Sequence, residues 1–78
     1  MANQKKPATI LRSAGLKATV WENQGMKGPF YSVTFARPYR TAEGNWQNAS
    51  NFGLYELEAL MNLAFEAREW LAAHPPRL

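Results

Sequence analysis

Two stretches of alternating side chains carry most of the residues that could bind a ligand. Along residues 16–23, Lys17, Thr19 and Trp21 are predicted to share one face of a strand, because successive side chains of a strand point to opposite faces. Along residues 30–40, Phe30 starts a second alternating run that continues with Ser32 and Thr34. The combined face mixes a lysine, hydroxyls and two large aromatic rings. Exposed rings of this kind indicate a surface that a partner covers.

This mixture is typical of surfaces that bind single-stranded nucleic acid. Bases stack on aromatic faces, at about 1–3 kcal/mol per base, and lysine or arginine contacts the phosphates, which makes binding salt-dependent. More basic and aromatic residues, including Arg12, lie in or beside the same strands and turns. The candidate nucleic-acid-binding residues are Lys17, Trp21, Lys27, Phe30, Arg37, Tyr39, Arg40 and Trp46.

Each aromatic residue also has a purely structural interpretation. Trp21 and Phe30 can pair across neighbouring strands or fill the core of a dimer, and Tyr39 with Trp46 can form the cross-strand pair that closes a hairpin. Both interpretations stay open at the level of the sequence.

The charge distribution favours a polyanionic partner for the first half of the chain. The net charge is +3, but residues 1–42 hold seven basic residues against Glu22 alone, whereas residues 43–78 hold five acidic residues against two basic ones. Such an asymmetry is typical of a basic surface that binds nucleic acid. A solvated basic surface is the alternative.

The same inventory argues against an enzyme, a metal centre or a cofactor. The sequence has no cysteine, and its one histidine, His74, lies beside a proline near the end of the chain. Disulfides, thiolate metal sites and histidine metal clusters are therefore excluded, and no nucleophile–base pair is evident. No glycine-rich phosphate loop is present. The glutamates of the last third fall largely on the polar side of a predicted helix.

Hydrophobic periodicity predicts an α+β fold: a curved four-stranded antiparallel sheet followed by one C-terminal helix. The predicted strands cover 8–13, 16–23, 30–40 and 46–52, with a hairpin loop at 41–45 in which Gly44 supplies a positive φ. The helix is predicted from about Leu54 to His74, where two prolines stop it. We expect a flexible arm at 1–7, a single domain at 8–74 and a tail at 75–78.

The predicted helix has two apolar stripes. The broad one, expected to pack on the sheet, comprises Leu54, Leu57, Leu60, Met61, Ala64, Phe65 and Leu71. Leu63 and Trp70 form a narrower second stripe, from which we predict a homodimer through the helix. The alternative is that Trp70 packs on the rim of the sheet and Leu63 is exposed. Arg68 falls within the broad stripe, either snorkelling to solvent or forming an ion pair across the dimer.

The order of elements resembles the positive cofactor four (transcriptional coactivator) family of single-stranded DNA-binding proteins. The resemblance is carried by LKATVWENQG and by FYSVTFARPYRTAEGNWQNASNFGLYELEALMNLA, and it covers most of residues 8–72. It implies a homodimer with paired helices, and DNA contacts at Trp21, Lys27, Arg37, Tyr39 and Arg40. The chain departs from the family pattern in its last strand, which in the family carries a basic residue near a glycine and here has Asn48, Ser50 and Asn51, and at Pro38.

We therefore expect a non-enzymatic, largely sequence-independent single-stranded DNA-binding protein, in transcription, replication or recombination. RNA binding and a protein–protein interaction module that uses the aromatic face are the alternatives. The N-terminus lacks the apolar run of a signal peptide, and no stretch approaches the roughly 20 apolar residues of a membrane span. A cytoplasmic location follows as an expectation, nucleoid-associated if the source is bacterial.

Overall fold

A computed structural model describes residues 6–76 of the chain. Four strands form one antiparallel sheet in the order β1-β2-β3-β4, and a helix follows them. The elements are β1 Lys6–Ser13, β2 Leu16–Gly25, β3 Gly28–Arg40, β4 Trp46–Ala49 and α1 Leu54–Ala73. The predicted α+β class, the antiparallel sheet and the C-terminal helix are confirmed.

The ends of the elements differ modestly from the prediction. β1 begins at Lys6, so residues 6 and 7 belong to the sheet instead of to an arm. β2 and β3 extend until only Met26 and Lys27 remain as the turn between them, and β4 ends at Ala49. The rest of the predicted arm, residues 1–5, and residues 77–78 of the predicted tail lie outside the described residues.

Tight turns fix the register of the sheet. Ala14 and Gly15 join β1 to β2 with φ values of 50° and 82°, the pair of positive angles that matches the twist of a two-residue hairpin. Gly44 has a φ of 88° in the β3–β4 loop, as predicted, and its amide donates to the carbonyl of Thr41 at 2.9 Å. Because a shift of one residue would turn every side chain to the other face, these turns also decide which residues reach the core.

The core-facing side of the two central strands is as predicted. Leu16, Ala18 and Val20 are at most 1 % exposed, and Val33 and Phe35 from β3 pack against the same cluster. Leu11 of β1 joins them. Alternation along β2 and β3 therefore predicted the buried face of the sheet correctly.

The face of α1 that packs on the sheet was predicted correctly only in part. Ala59, Leu63 and Ala67 are the buried residues of the helix, and Leu63 is fully buried. Of the broad stripe, Leu60 is half-buried and packs against the core, and Leu71 is half-buried. Its other large residues point to solvent: Leu54 is 69 % exposed, Leu57 46 %, Met61 72 % and Phe65 58 %. At about 100° per residue, this exposed stripe lies on the side of the helix opposite Leu63.

Side-chain size explains this orientation. Ala59 and Ala67 stand one turn before and one turn after Leu63, so the helix can approach the sheet closely where Ala18 is also small. Leu63 then fills the space between the two layers. The assignment of Leu63 to a dimer interface is therefore corrected, because its side chain is enclosed within its own chain.

Trp70 also packs within the chain. Its ring meets Tyr31 of β3 edge-on, with centroids 5.4 Å apart, and His74 stacks on it at 4.2 Å. The Nδ1 atom of His74 lies 2.9 Å from the carbonyl oxygen of Trp70, which ties the end of α1 together. Trp70 is half-buried by these contacts. Within residues 6–76, no helix is both long and apolar enough to cross a membrane.

Replacement of Leu63 by alanine tests this packing. We expect Leu63→Ala to lower the free energy of unfolding by about 2–5 kcal/mol, because it removes a fully buried side chain and leaves a cavity. Urea denaturation followed by circular dichroism measures the change. Glu66→Ala, on the exposed side of the same helix, is the control and should change little. Equal stability of the two variants would contradict the orientation of α1.

Candidate nucleic-acid interface

The side of the sheet away from α1 is called the outer face here. Alternation along each strand and the register between strands place on it both side chains of every opposed pair that faces away from the core. Its functional side chains are Arg12, Lys17, Thr19, Trp21, Asn23, Phe30, Ser32, Thr34, Arg40 and Trp46. No helix of the described chain covers this face, because α1 packs on the other one.

The Trp21 ring is fixed on the outer face by a hydrogen bond. Its Nε1 donates to Thr34 Oγ1 at 2.8 Å, although the residue directly opposite Trp21 is Ser32. The indole therefore extends diagonally across the sheet toward the row of Thr19 and Thr34. Thr19 is only 7 % exposed, although no helix covers this side. The ring thus keeps a defined orientation, with part of its surface open to solvent.

Phe30 lies against backbone and remains half exposed. A Cβ atom at Gly25 would stand 3.1 Å from the Phe30 ring, so the ring lies over the glycine, in the manner of an aromatic side chain that covers a strand glycine. Beside it, Asn23 is 8 % exposed and its Nδ2 donates to Ser32 Oγ at 3.0 Å. Phe30 itself is 50 % exposed. The hydrogen bond to Thr34 therefore orients the Trp21 ring, and packing on Gly25 orients the Phe30 ring.

Charge is segregated between the two sides of the sheet. The outer face carries Arg12, Lys17 and Arg40, whereas all six acidic residues of the sequence lie elsewhere. Glu22 falls on the helix side of β2, Glu43 lies in the β3–β4 loop, and the other four are on α1. No acidic side chain on the outer face neutralises these cations. The electrostatic potential over the aromatic rings is therefore positive.

Arg40 and Trp46 occupy the far end of the outer face, where β3 pairs with β4. They stand directly opposite each other, and the guanidinium lies 6.0 Å from the centre of the Trp46 ring. Arg40 Nε also donates to the carbonyl of Gly44 at 3.2 Å. The pair that closes this hairpin is therefore Arg40–Trp46, and Tyr39 stands opposite Gln47. Trp46 remains 68 % exposed.

Arg37 and Tyr39 do not join this surface, because alternation places them on the helix side of β3. Arg37 donates through Nε to the carbonyl of Asn51 at 3.1 Å and through Nη2 to its Oδ1 at 2.8 Å. With Phe52, Gly53 and Glu56, these two residues line a cavity of about 450 Å³. The bonded Arg37 braces the segment that leads into α1. Tyr39 is exposed beyond the reach of the helix.

The remaining predicted residue, Lys27, is exposed in the β2–β3 turn beside Met26, at the end of the sheet that carries Phe30. Arg12 was outside the predicted set, yet it stands directly opposite Lys17. The signal that identifies Arg12 is the register of the β1–β2 hairpin, which the Ala14–Gly15 turn sets. Five of the eight predicted residues thus share the outer face, Lys27 borders it, and two lie on the opposite side.

Comparisons of the chain with models of protein families, with curated proteins and with solved structures find no match. Function is therefore inferred from the geometry of the outer face and from the resemblance in sequence.

Proposed function

We propose that the outer face binds single-stranded nucleic acid, with DNA favoured, and with little preference for base sequence. The observation that carries the proposal is the combination of Trp21 and Phe30, two fixed and partly exposed rings, with cations on a face that has no acidic residue. The rings would stack on bases, and Lys17 would contact phosphates.

A single strand fits this surface better than a duplex. The outer face presents no helix that could enter a major groove, since α1 lies behind the sheet. Its exposed rings offer stacking surfaces, which unpaired bases can use and stacked base pairs cannot. Because every base has a π-face, such binding tolerates different sequences.

The fixed rings favour affinity as well as position. A side chain that must be ordered on binding costs about 0.5–1.5 kcal/mol. The hydrogen bond from Trp21 to Thr34 and the contact of Phe30 with Gly25 order the two rings before any ligand arrives. The resemblance to the positive cofactor four family supports the same function. We accordingly propose a non-enzymatic role in transcription, replication or recombination, inside the cell.

Substitution of Trp21 tests the proposed site. We expect Trp21→Ala to weaken binding of a fluorescent single-stranded oligonucleotide by roughly 5- to 150-fold, the loss of one stacked base. Fluorescence anisotropy at two salt concentrations measures affinity, with unlabelled duplex as competitor. Tyr55→Ala removes an aromatic ring that is 79 % exposed on α1 and is the matched control.

Equal affinity of the Trp21 and Tyr55 variants would contradict the assignment of nucleic-acid binding to the outer face. If the unsubstituted protein does not bind at low salt, the second candidate function, a protein-interaction surface, would be favoured for the outer face. An RNA oligonucleotide of the same sequence shows whether the sugar matters, since stacking alone accepts either.

We also propose that the exposed stripe of α1, formed by Leu54, Leu57, Met61 and Phe65, pairs with the same stripe of a second copy. These four residues are between 46 % and 72 % exposed along about three turns of helix, and a contiguous apolar surface of this kind marks an interaction site. The dimer interface expected at Leu63 and Trp70 is thereby moved to the opposite side of α1. The helix would then have one face for its own sheet and one for its partner.

The spacing of the stripe suits an antiparallel pair of helices. A two-fold axis beside Met61 would place Leu57 at the level of the partner's Phe65, and Leu54 at the level of the partner's Arg68. Arg68 is 79 % exposed in the side chain, and within the described residues its salt bridge is to the neighbouring Glu69, at 3.8 Å. In the pair, it would come within reach of the partner's Glu58. The arrangement combines apolar contact with charge complementarity.

Substitution at the two-fold axis tests the dimer. We expect Met61→Lys to convert a dimer to monomers, because two lysines would face each other across the axis, while the fold survives at a position that is 72 % exposed. Sedimentation velocity gives the oligomeric state, and circular dichroism gives the helix content. Glu66→Lys places a lysine on another side of α1 and should remain dimeric. A monomeric unsubstituted protein at micromolar concentration would contradict the proposal.

A further inference from the structure

Arg12 of β1 and Lys17 of β2 are directly opposed across the first hairpin, on the outer face. Opposed residues in an antiparallel pair have Cβ atoms about 5 Å apart, so the two positive charges are close neighbours. Ala36 of β3 is the next residue in the same row, and its small side chain leaves the space beside Lys17 open. Across β1, β2 and β3, this row of opposed residues therefore consists of two adjacent cations and a small side chain that leaves space beside them.

Like charges placed directly opposite each other destabilise a sheet. Within residues 6–76, neither Arg12 nor Lys17 has a salt bridge or a side-chain hydrogen bond that would offset the repulsion. No acidic residue stands on the outer face. No contact within the described residues therefore explains why the two cations are adjacent. An anion bound between the two side chains would relieve the repulsion.

The position of the pair along the sheet indicates which anion. The row of Ala36 lies four residues along β3 from Ser32, which opposes Trp21, and four residues from Arg40, which opposes Trp46. At about 3.3 Å per residue, each interval is roughly 13 Å. The Trp21 ring leans from its own row toward Thr34, so along the strand direction the two cations lie between this ring and the more distant Trp46 ring. An extended chain that stacks at both ends would carry its charged backbone across this row.

We propose that Arg12 and Lys17 form a clamp for one backbone phosphate of the bound single strand, between a stacking position at Trp21 and Phe30 and a second one at Trp46. The inference rests on the proposed function and deepens it, because it fixes the path of the strand along β3. Arg12 presents a forked donor for phosphate oxygens, and Lys17 a compact charge. A free phosphate ion would lack the flanking bases and would bind weakly.

The test compares Arg12→Gln, Lys17→Gln and the double variant with the unsubstituted protein. Affinity for a single-stranded oligonucleotide long enough to cross β3 is measured over a range of salt concentrations. We expect a loss of at least roughly tenfold at low salt for the double variant. The slope of log affinity against log salt should fall by about 0.7, the contribution of one phosphate on a single strand. Lys6→Gln removes one positive charge from the helix side of β1, where Lys6 stands opposite Glu22, and should change neither quantity.

Thermal unfolding of the free variants separates a binding role from a structural one. Because the two cations repel each other, either substitution should leave the melting temperature unchanged or raise it. A lower melting temperature would assign the pair a structural role and overturn the clamp. Addition of inorganic phosphate at millimolar concentration should compete far less well than the oligonucleotide.

The outcomes distinguish this inference from the function on which it rests. An unsubstituted protein that binds no oligonucleotide removes the proposed function and the clamp together. If binding depends on Trp21 but the double variant keeps the full salt slope, the function stands and the clamp is overturned. A fall in slope of about 1.4 would mean that the two cations hold separate phosphates, which contradicts the shared clamp.

Discussion

The contact of Leu63 with Leu16 and Ala18 determines which surfaces of the molecule are free. It turns Ala59 and Ala67 toward the sheet and leaves Leu54, Leu57, Met61 and Phe65 on the other side of the helix. The helix covers one side of the sheet only, so the opposite side remains open with its rings and cations. In a chain of 78 residues with no cysteine, this one layer of packing is the main source of stability. Association of two copies through the exposed stripe of α1 would bury further apolar surface.

The outer face combines fixed geometry with a uniform sign of charge. Trp21 is held by Thr34 and Phe30 by Gly25, so the rings remain spread over the sheet instead of collapsing onto each other. The acids are gathered on α1, in a loop and behind β2. A polyanion approaching the molecule would therefore be attracted to one side and weakly repelled by the other, which orients it before stacking contacts form.

The sequence predicted local structure well where a single periodicity decides it. Alternation in β2 and β3 identified the buried Leu16, Ala18 and Val20, and the need for a positive φ identified Gly44. It was only partly right for α1, because the broader apolar stripe was taken as the buried face, whereas close packing on Ala18 favours Ala59 and Ala67 around Leu63. Arg37 was placed in the site by composition, and only its hydrogen bonds to Asn51 reveal that it braces the helix entry. The position of Arg12 opposite Lys17 required the register of the first hairpin, which depends on the positive φ angles of Ala14 and Gly15.

The three tryptophans allow a direct measurement of the central claim, that ligand binds the side of the sheet opposite α1. Trp21 and Trp46 lie on the outer face, and Trp70 packs on Tyr31 behind it. Each has an indole N–H signal that can be followed by nuclear magnetic resonance as a single-stranded oligonucleotide is added. We expect the signals of Trp21 and Trp46 to move and that of Trp70 to stay. Movement of the Trp70 signal with Trp21 unchanged would contradict the account.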